Sequence, residues 1–438
     1  MLLNAADKAL WRLALPMIFS NITVPLLGLV DTAVIGHLDS PVYLGGVAVG
    51  ATATSFLFML LLFLRMSTTG LTAQAWGAKD PQRLARALVQ PLALALGAGV
   101  LIILLRLPLI DLALHIVGGS EAVLEQARRF LEIRWLSAPA SLANLVLLGW
   151  LLGVQYARAL VILLVVGNLL NIVLDLWLVM GLRMNVQGAA LATVTAEYAT
   201  LIIGLLMAKR VLTLRGVSLA MLKNAWRGDL RRLLALNRDI MLRSLLLQLC
   251  FGALTVFGAR LGSDIVAVNA VLMTMLTFTA YALDGFAYAV EAHSGQAYGA
   301  RDGSQLLEVW RAACRQSGMV ALAFALIYSL AGQYIIALLT SLPSLQQLAD
   351  RYLIWQTILP VVGVWCYLLD GMFIGATRGA EMRNSMAVAA AGFAVTLLTL
   401  PVLGNHGLWL ALAVFLALRG LSLALIWRRH WRRGTWFS

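Results

Sequence analysis

The sequence predicts an all-α integral membrane protein with twelve transmembrane helices in two six-helix lobes, related by a pseudo-two-fold axis along the membrane normal. Three observations lead there. Hydrophobic residues make up 61% of the chain and charged ones 12%, with a mean hydropathy of +0.87, outside the balance of soluble domains. Twelve stretches reach the roughly 20 apolar residues that a spanning helix needs. Finally, "QAWGAKD" at Gln74 returns as "QAYGARD" at Gln296, an offset of 222 residues, so six helices have been duplicated. An even number of spans per half makes the repeat parallel, with two lobes facing across a central cleft.

In chain order, the first span, 10–36, carries Pro16 and Pro25, each removing a backbone hydrogen bond, and Asp31 within "GLVDTAVIGH". The second, 44–71, holds Arg65 and runs into "QAWGAKD"; the third, 87–108, is plainly apolar. In the fourth, 130–153, Asn144 lies amid Leu and Ala, and Gly149 and Gly153 have the spacing that lets helices approach closely. The fifth, 160–182, sets Asn168, Asn171 and Asp175 at i, i+3 and i+7, one helical face. In the sixth, 187–208, Thr193 and Glu197 are one turn apart.

Residues 209–239 form a basic, partly amphipathic linker on the cytoplasmic membrane surface, dividing an N-terminal lobe, 1–208, from a C-terminal lobe, 240–438. Span seven, 240–260, has no acid. Span eight, 265–295, has Tyr281, Asp284, Tyr288 and Glu291 at helical spacing, a surface that suits an apolar cation. Spans nine and eleven, 316–340 and 384–403, are apolar. Span ten, 352–376, repeats the glycine pair as Gly371 and Gly375, preceded by Asp370, and span twelve, 407–427, carries Arg419.

Charge sets the orientation. Most of the 33 Lys and Arg fall in the termini and even-numbered loops, which the positive-inside rule assigns to the cytoplasm. The net charge of +13 is thus a topology signal, and nucleic acid is not an expected partner. Cys250, Cys314 and Cys366 are widely spaced without clustered His, so neither a disulfide framework, a metal site nor a cofactor is expected. An intramembrane enzyme would need clustered His, Ser or metal ligands at membrane depth, and the five histidines are scattered.

An intramembrane carboxylate costs roughly 2.5–3.5 kcal/mol on insertion scales, which makes each one a functional candidate. A carboxyl in apolar surroundings favours its neutral form, which suits it to load and release a proton. Amide and hydroxyl oxygens beside it also suit sodium. The structural alternative pairs Asp31 and Asp175 with Arg65.

Twelve spans in two parallel repeats, "PMIFSNITVPLLGLVDTAVIGHL" in the first and the two "QAxGAxD" motifs resemble the multidrug and toxic compound extrusion (MATE) transporters, and within them the DinF branch of enteric bacteria. The resemblance implies an inner-membrane antiporter that expels small organic, often cationic or amphipathic, compounds in exchange for protons or sodium. It implies a monomer whose only other partner is membrane lipid. It carries a cation-coupling role to Asp31, Asn171, Asp175 and Thr193 and a hinge role to Pro16. The substrate cavity is expected to draw on Asn144, Asn168, Glu197, Asp284, Tyr288, Glu291 and Asp370. Two departures stand out: the archaeal pattern has a tyrosine one turn before the first-helix acid, where this chain has Leu27, and the NorM branch has a glutamate in the seventh helix, where this chain has no acid. The alternative function is a flippase for a lipid-linked precursor, whose relatives line the cavity with several arginines. Here Arg65 and Arg419 are assigned to spans, which favours small-molecule export.

Overall fold

The structure, a computed structural model, describes residues 4–38 and 40–438, and the side chains of these except 24–32. The described residues form helices and turns with no strand. In chain order the long helices are α1 (Ala5–Gly36), α2 (Pro41–Gly77), α3 (Pro81–Leu104), α4 (Glu121–Gly153), α5 (Ala157–Gly181), α6 (Asn185–Leu214), α7 (Leu230–Leu261), α8 (Ser263–Ala300), α9 (Gly303–Leu339), α10 (Pro343–Gly375), α11 (Gly379–Leu403) and α12 (Asn405–Arg433). Among the described residues, α2 to α12 are the eleven helices long and apolar enough to cross a membrane. With α1, each of the twelve predicted spans coincides with one of them, eight lying wholly inside it; 87–108 overruns its helix by four residues, and 160–182, 316–340 and 352–376 by one each.

The repeat is built into the packing. In the first half α4 packs against α2 and α3 and α5 against α6, and in the second α10 packs against α8 and α9 and α11 against α12. Glycine makes the first of these contacts possible. A Cβ on Gly149 would stand 2.5 Å from the Arg65 carbonyl oxygen, and one on Gly371 would stand 2.6 Å from that of Ala287. Gly153 likewise meets Thr72, and Gly375 meets Ser294. Each contact recurs at the 222-residue offset, so the glycine pairs bring helices together within each half.

The "QAxGAxD" motif folds the same way twice. Lys79 (φ 54°) and Arg301 (φ 53°) take the left-handed conformation that stops a helix. The next residue then caps the following helix: Asp80 Oδ1 accepts from the backbone N–H groups of Gln82 (3.1 Å) and Arg83 (3.3 Å), and Asp302 Oδ1 from that of Gln305 (3.1 Å). The motif's aromatic residue is covered by the chain that follows the sixth helix of its own half. Arg215 stacks over Trp76 at 3.6 Å, and Phe437 meets Tyr298 with ring centroids 5.6 Å apart.

By compactness, the described residues between 19 and 233 form one unit, and residues 4–18 with 234–438 form another. In the second unit Leu10, Leu13, Ala14 and Met17 of α1 are almost fully buried. Trp11 donates from Nε1 to Gln316 Oε1 (3.0 Å) and lies edge-on to Phe286, while Arg315 Nη2 donates to Asp7 Oδ1 at 2.8 Å. The same unit holds a buried knot in which Asn269 and Asn405 exchange amide bonds (2.9 and 2.8 Å) and Trp409 Nε1 donates to Asn269 (3.0 Å). Such hydrogen bonds join helices where apolar burial alone does not distinguish neighbour from lipid. All three cysteines are free thiols, Cys250 and Cys366 buried and Cys314 half-buried.

Candidate functional site

The polar face of α5 is formed as its spacing requires. Asn171 and Asp175 are buried, one turn apart, and Asn168 is half-buried one turn before them. From α6, Thr193 presents its hydroxyl 3.5 Å from Asn171 Oδ1 and 3.2 Å from its own helix's Ala189 carbonyl. A hydroxyl has one proton to give, so the two acceptors compete for it. The hydrogen bond from Thr193 to Asn171 is accordingly weak.

Immediately after Asp175 the helix widens into a π turn over Leu176–Gly181. The Leu182 N–H reaches back five residues to the Trp177 carbonyl at 2.9 Å. Wide turns inside helices concentrate at functional sites because they re-aim side chains and loosen the backbone ladder. Nothing in the apolar run "LWLVMG" marks this turn.

Asn144 and Glu197 meet directly. Asn144 Nδ2 on α4 donates to Glu197 Oε2 on α6 at 2.9 Å and to the Glu197 carbonyl at 3.0 Å. Both are half-buried, so this acid is held by an amide. Arg65, deeply buried on α2, donates from Nη1 to Thr69 Oγ1 at 3.2 Å.

Asp31 and Leu27 lie in the helical run of α1, but their side chains fall outside the described residues. Pro16 sits inside α1, and the change from one compact unit to the other comes between Ile18 and Phe19, two residues later.

In the second unit Glu291 of α8 is almost fully buried, and its carbonyl faces Gly375 of α10 at the close helix crossing. Tyr281, Asp284 and Tyr288 are half-buried, with Tyr281 edge-on to Phe278. Asp370 is gripped by two arginines: Arg243 Nη2 donates to its Oδ2 at 2.7 Å, and Arg419 Nη2 donates to the same oxygen. All three residues are buried. Arg243 corrects the sequence reading, which left only Arg65 and Arg419 in spans. It lies inside α7 but next to the basic linker, where charge alone groups it with the loop. Among the described residues no group of His, Cys, Asp and Glu is arranged to hold a metal ion.

Comparison with known proteins identifies the architecture. A family model described as MatE matches residues 16–177 and 240–403, one match in each half. The chain is 87% identical over 436 residues to DNA damage-inducible protein F of Escherichia coli (strain K12), covering 100% of this chain and 95% of that protein. It is 23% identical to a probable multidrug resistance protein NorM of Acinetobacter baylyi, over 96% of this chain and 94% of that one. The fold superposes with a TM-score of 0.84 at 24% identity on a multidrug resistance MATE family transporter of the MOP superfamily, solved in an outward-facing conformation. That match covers 98% of this chain and 96% of the other.

Proposed function

Since the chain belongs to the MatE family, whose members are membrane transporters and not enzymes, we propose that it is a multidrug efflux antiporter of the bacterial inner membrane. It exchanges protons or sodium ions for small organic compounds, often cationic or amphipathic. The observation that carries this reading is the polar cluster of Asn171, Asp175 and Thr193 inside an apolar bundle. Amide and hydroxyl groups can join helices in lipid, but a carboxylate at membrane depth is costly to a purely structural bundle, whereas a coupling site requires one.

In this mechanism protons or sodium ions entering the first half neutralise Asp31 and Asp175, one cation for each carboxylate. The Thr193 proton then shifts between the Asn171 amide and the Ala189 carbonyl, and α1 bends at Pro16, where the hydrogen bond to the Arg12 carbonyl is missing. Closure of the pocket displaces the bound compound. Inward movement of one charge supplies about 2.3 kcal/mol per 100 mV, enough for roughly a fortyfold gradient.

The deciding experiment is transport of a cationic dye in proteoliposomes under separately imposed pH and sodium gradients. Dye movement driven by one of them supports the antiporter and names the ion. Movement under neither overturns it.

A further inference from the structure

A small cavity at the start of α3 takes no part in this reading. It has a volume of about 40 Å³ and is walled by Arg83, Arg86 and Gln90 of α3, with Asp229, Arg232 and Leu233 at the start of α7. At one probe sphere per water it has room for roughly three waters, the footprint of a phosphate group. An organic drug needs several hundred Å³.

The walls are held in place. Gln90 Nε2 donates to the Trp226 carbonyl (3.1 Å) and the Gly228 carbonyl (2.6 Å), pinning the linker to α3. Arg232 donates to Gln74 Oε1 of the first "QAxGAxD" motif at 3.4 Å. Arg86 makes one long contact, Nη1 to Asp229 Oδ2 at 3.4 Å, and its Nε is enclosed without a protein acceptor. Three arginines and one carboxylate thus line a space of phosphate size. The planar, multiply donating shape of the guanidinium group is the one best matched to phosphate oxygens.

The surroundings say which phosphate. The linker beside the cavity exposes Leu219, Trp226 and Leu230, and Lys223, Arg227 and Arg231 lie between and beside them. Tryptophan and leucine interleaved with basic residues seat a segment at the boundary of headgroups and acyl chains. The duplicated half supplies a contrast, because the 222-residue offset places Gln305 and Glu308 at the positions of Arg83 and Arg86. The basic set therefore belongs to one half alone.

We propose that the Arg83–Arg86–Arg232 cavity is a binding site for the phosphate of an anionic phospholipid headgroup, one per chain, with Trp226 and the neighbouring leucines in the acyl boundary. The proposal rests on the chain being a membrane protein and not on what it transports.

The test is native mass spectrometry of the full chain in a neutral detergent, titrated with phosphatidylglycerol, phosphatidylcholine or inorganic phosphate, while circular dichroism checks folding. The wild type should retain one phosphatidylglycerol in preference to phosphatidylcholine. Arg83→Gln with Arg86→Gln should weaken it roughly thirtyfold, and Asp229→Asn, which removes the one negative wall, should tighten it about fivefold. Equal retention of both lipids overturns the site, as does unchanged binding by the double variant. Displacement of the lipid by millimolar inorganic phosphate overturns the lipid as occupant. Should the double variant fail to fold, Asp229→Asn decides alone, and no gain in affinity counts against the proposal. A failed transport assay would leave these outcomes untouched.

Discussion

Asn144 and Glu197, 53 residues apart in sequence, are joined twice, by the Asn144 amide to the Glu197 carboxylate (2.9 Å) and to its backbone carbonyl (3.0 Å). Asn144→Leu removes both of these hydrogen bonds and leaves the half-buried acid without its amide partner. The expected cost is about 1–3 kcal/mol, read as a lower melting temperature in detergent. Asn144→Asp should be worse, since it sets two acids against each other, and a variant as stable as the wild type would refute this account.

For the coupling cluster, Asp31→Asn and Asp175→Asn are each expected to abolish efflux while folded protein stays in the membrane at wild-type level. Thr193→Ala loses a bond at the long limit of hydrogen-bond distance, so its stability cost should stay under about 1 kcal/mol although transport falls. Normal ion-coupled efflux by Asp175→Asn vesicles would remove that residue from the mechanism.

The glycine crossings give a stability prediction with an internal control. Gly149→Val and Gly371→Val force side chains against backbone oxygens at 2.5 and 2.6 Å and should cost more than about 3 kcal/mol. Gly36, around which a Cβ meets nothing within 4 Å, should accept alanine with no loss. Thermal unfolding of the three variants checks the order.

Acid sensitivity should trace in part to Asp7, ahead of the first predicted span. Burial alone would raise its carboxyl, but hydrogen bonds from Arg315, Asn4 and Gln316, with the Arg315 charge, hold it below its ordinary value. A carboxyl with a lowered folded value stabilises the protein fully above the unfolded range near 3.9. That contribution disappears as pH falls through the folded value. Asp7→Asn should therefore lower the melting temperature at neutral pH and narrow its gap to the wild type at strongly acidic pH; a gap that widens with acid would reverse the sign.

The buried ion cluster predicts an ordering. Asp370→Leu leaves two buried guanidinium groups without their shared acid and should cost about 3–5 kcal/mol. Arg243→Met keeps the bond from Arg419 and should cost less. The reverse order in chemical denaturation would contradict this geometry.

Much of this was legible in the sequence because lipid leaves few choices. Apolar length fixes the spans, and the duplicated glycines and motifs mark helix contacts, since each of those glycine contacts appears twice. That Asn171 and Asp175 share one buried face was legible through helical spacing, whereas Thr193 joined them only through the family resemblance. The partnership of Asn144 with Glu197 was not, because both residues stand out locally while their meeting depends on how α4 crosses α6. Arg243 escaped notice beside other basic residues, and its partner Asp370 lies 127 residues away. The π turn after Asp175 is written in apolar residues that would fit an ordinary helix equally well.

The burial of Leu10, Leu13, Ala14 and Met17 in the unit that contains residues 234–438 has a consequence for biosynthesis. Asp7 precedes its partner Arg315 by 308 residues, a wait of about 15–60 s at ordinary translation rates. Although α1 precedes the other eleven helices in this sequence, it is thus among the last of them to complete its packing. Until α8 and α9 arrive, its leading turns present an apolar face with no protein to cover it, a target for insertases and quality-control proteases during membrane assembly.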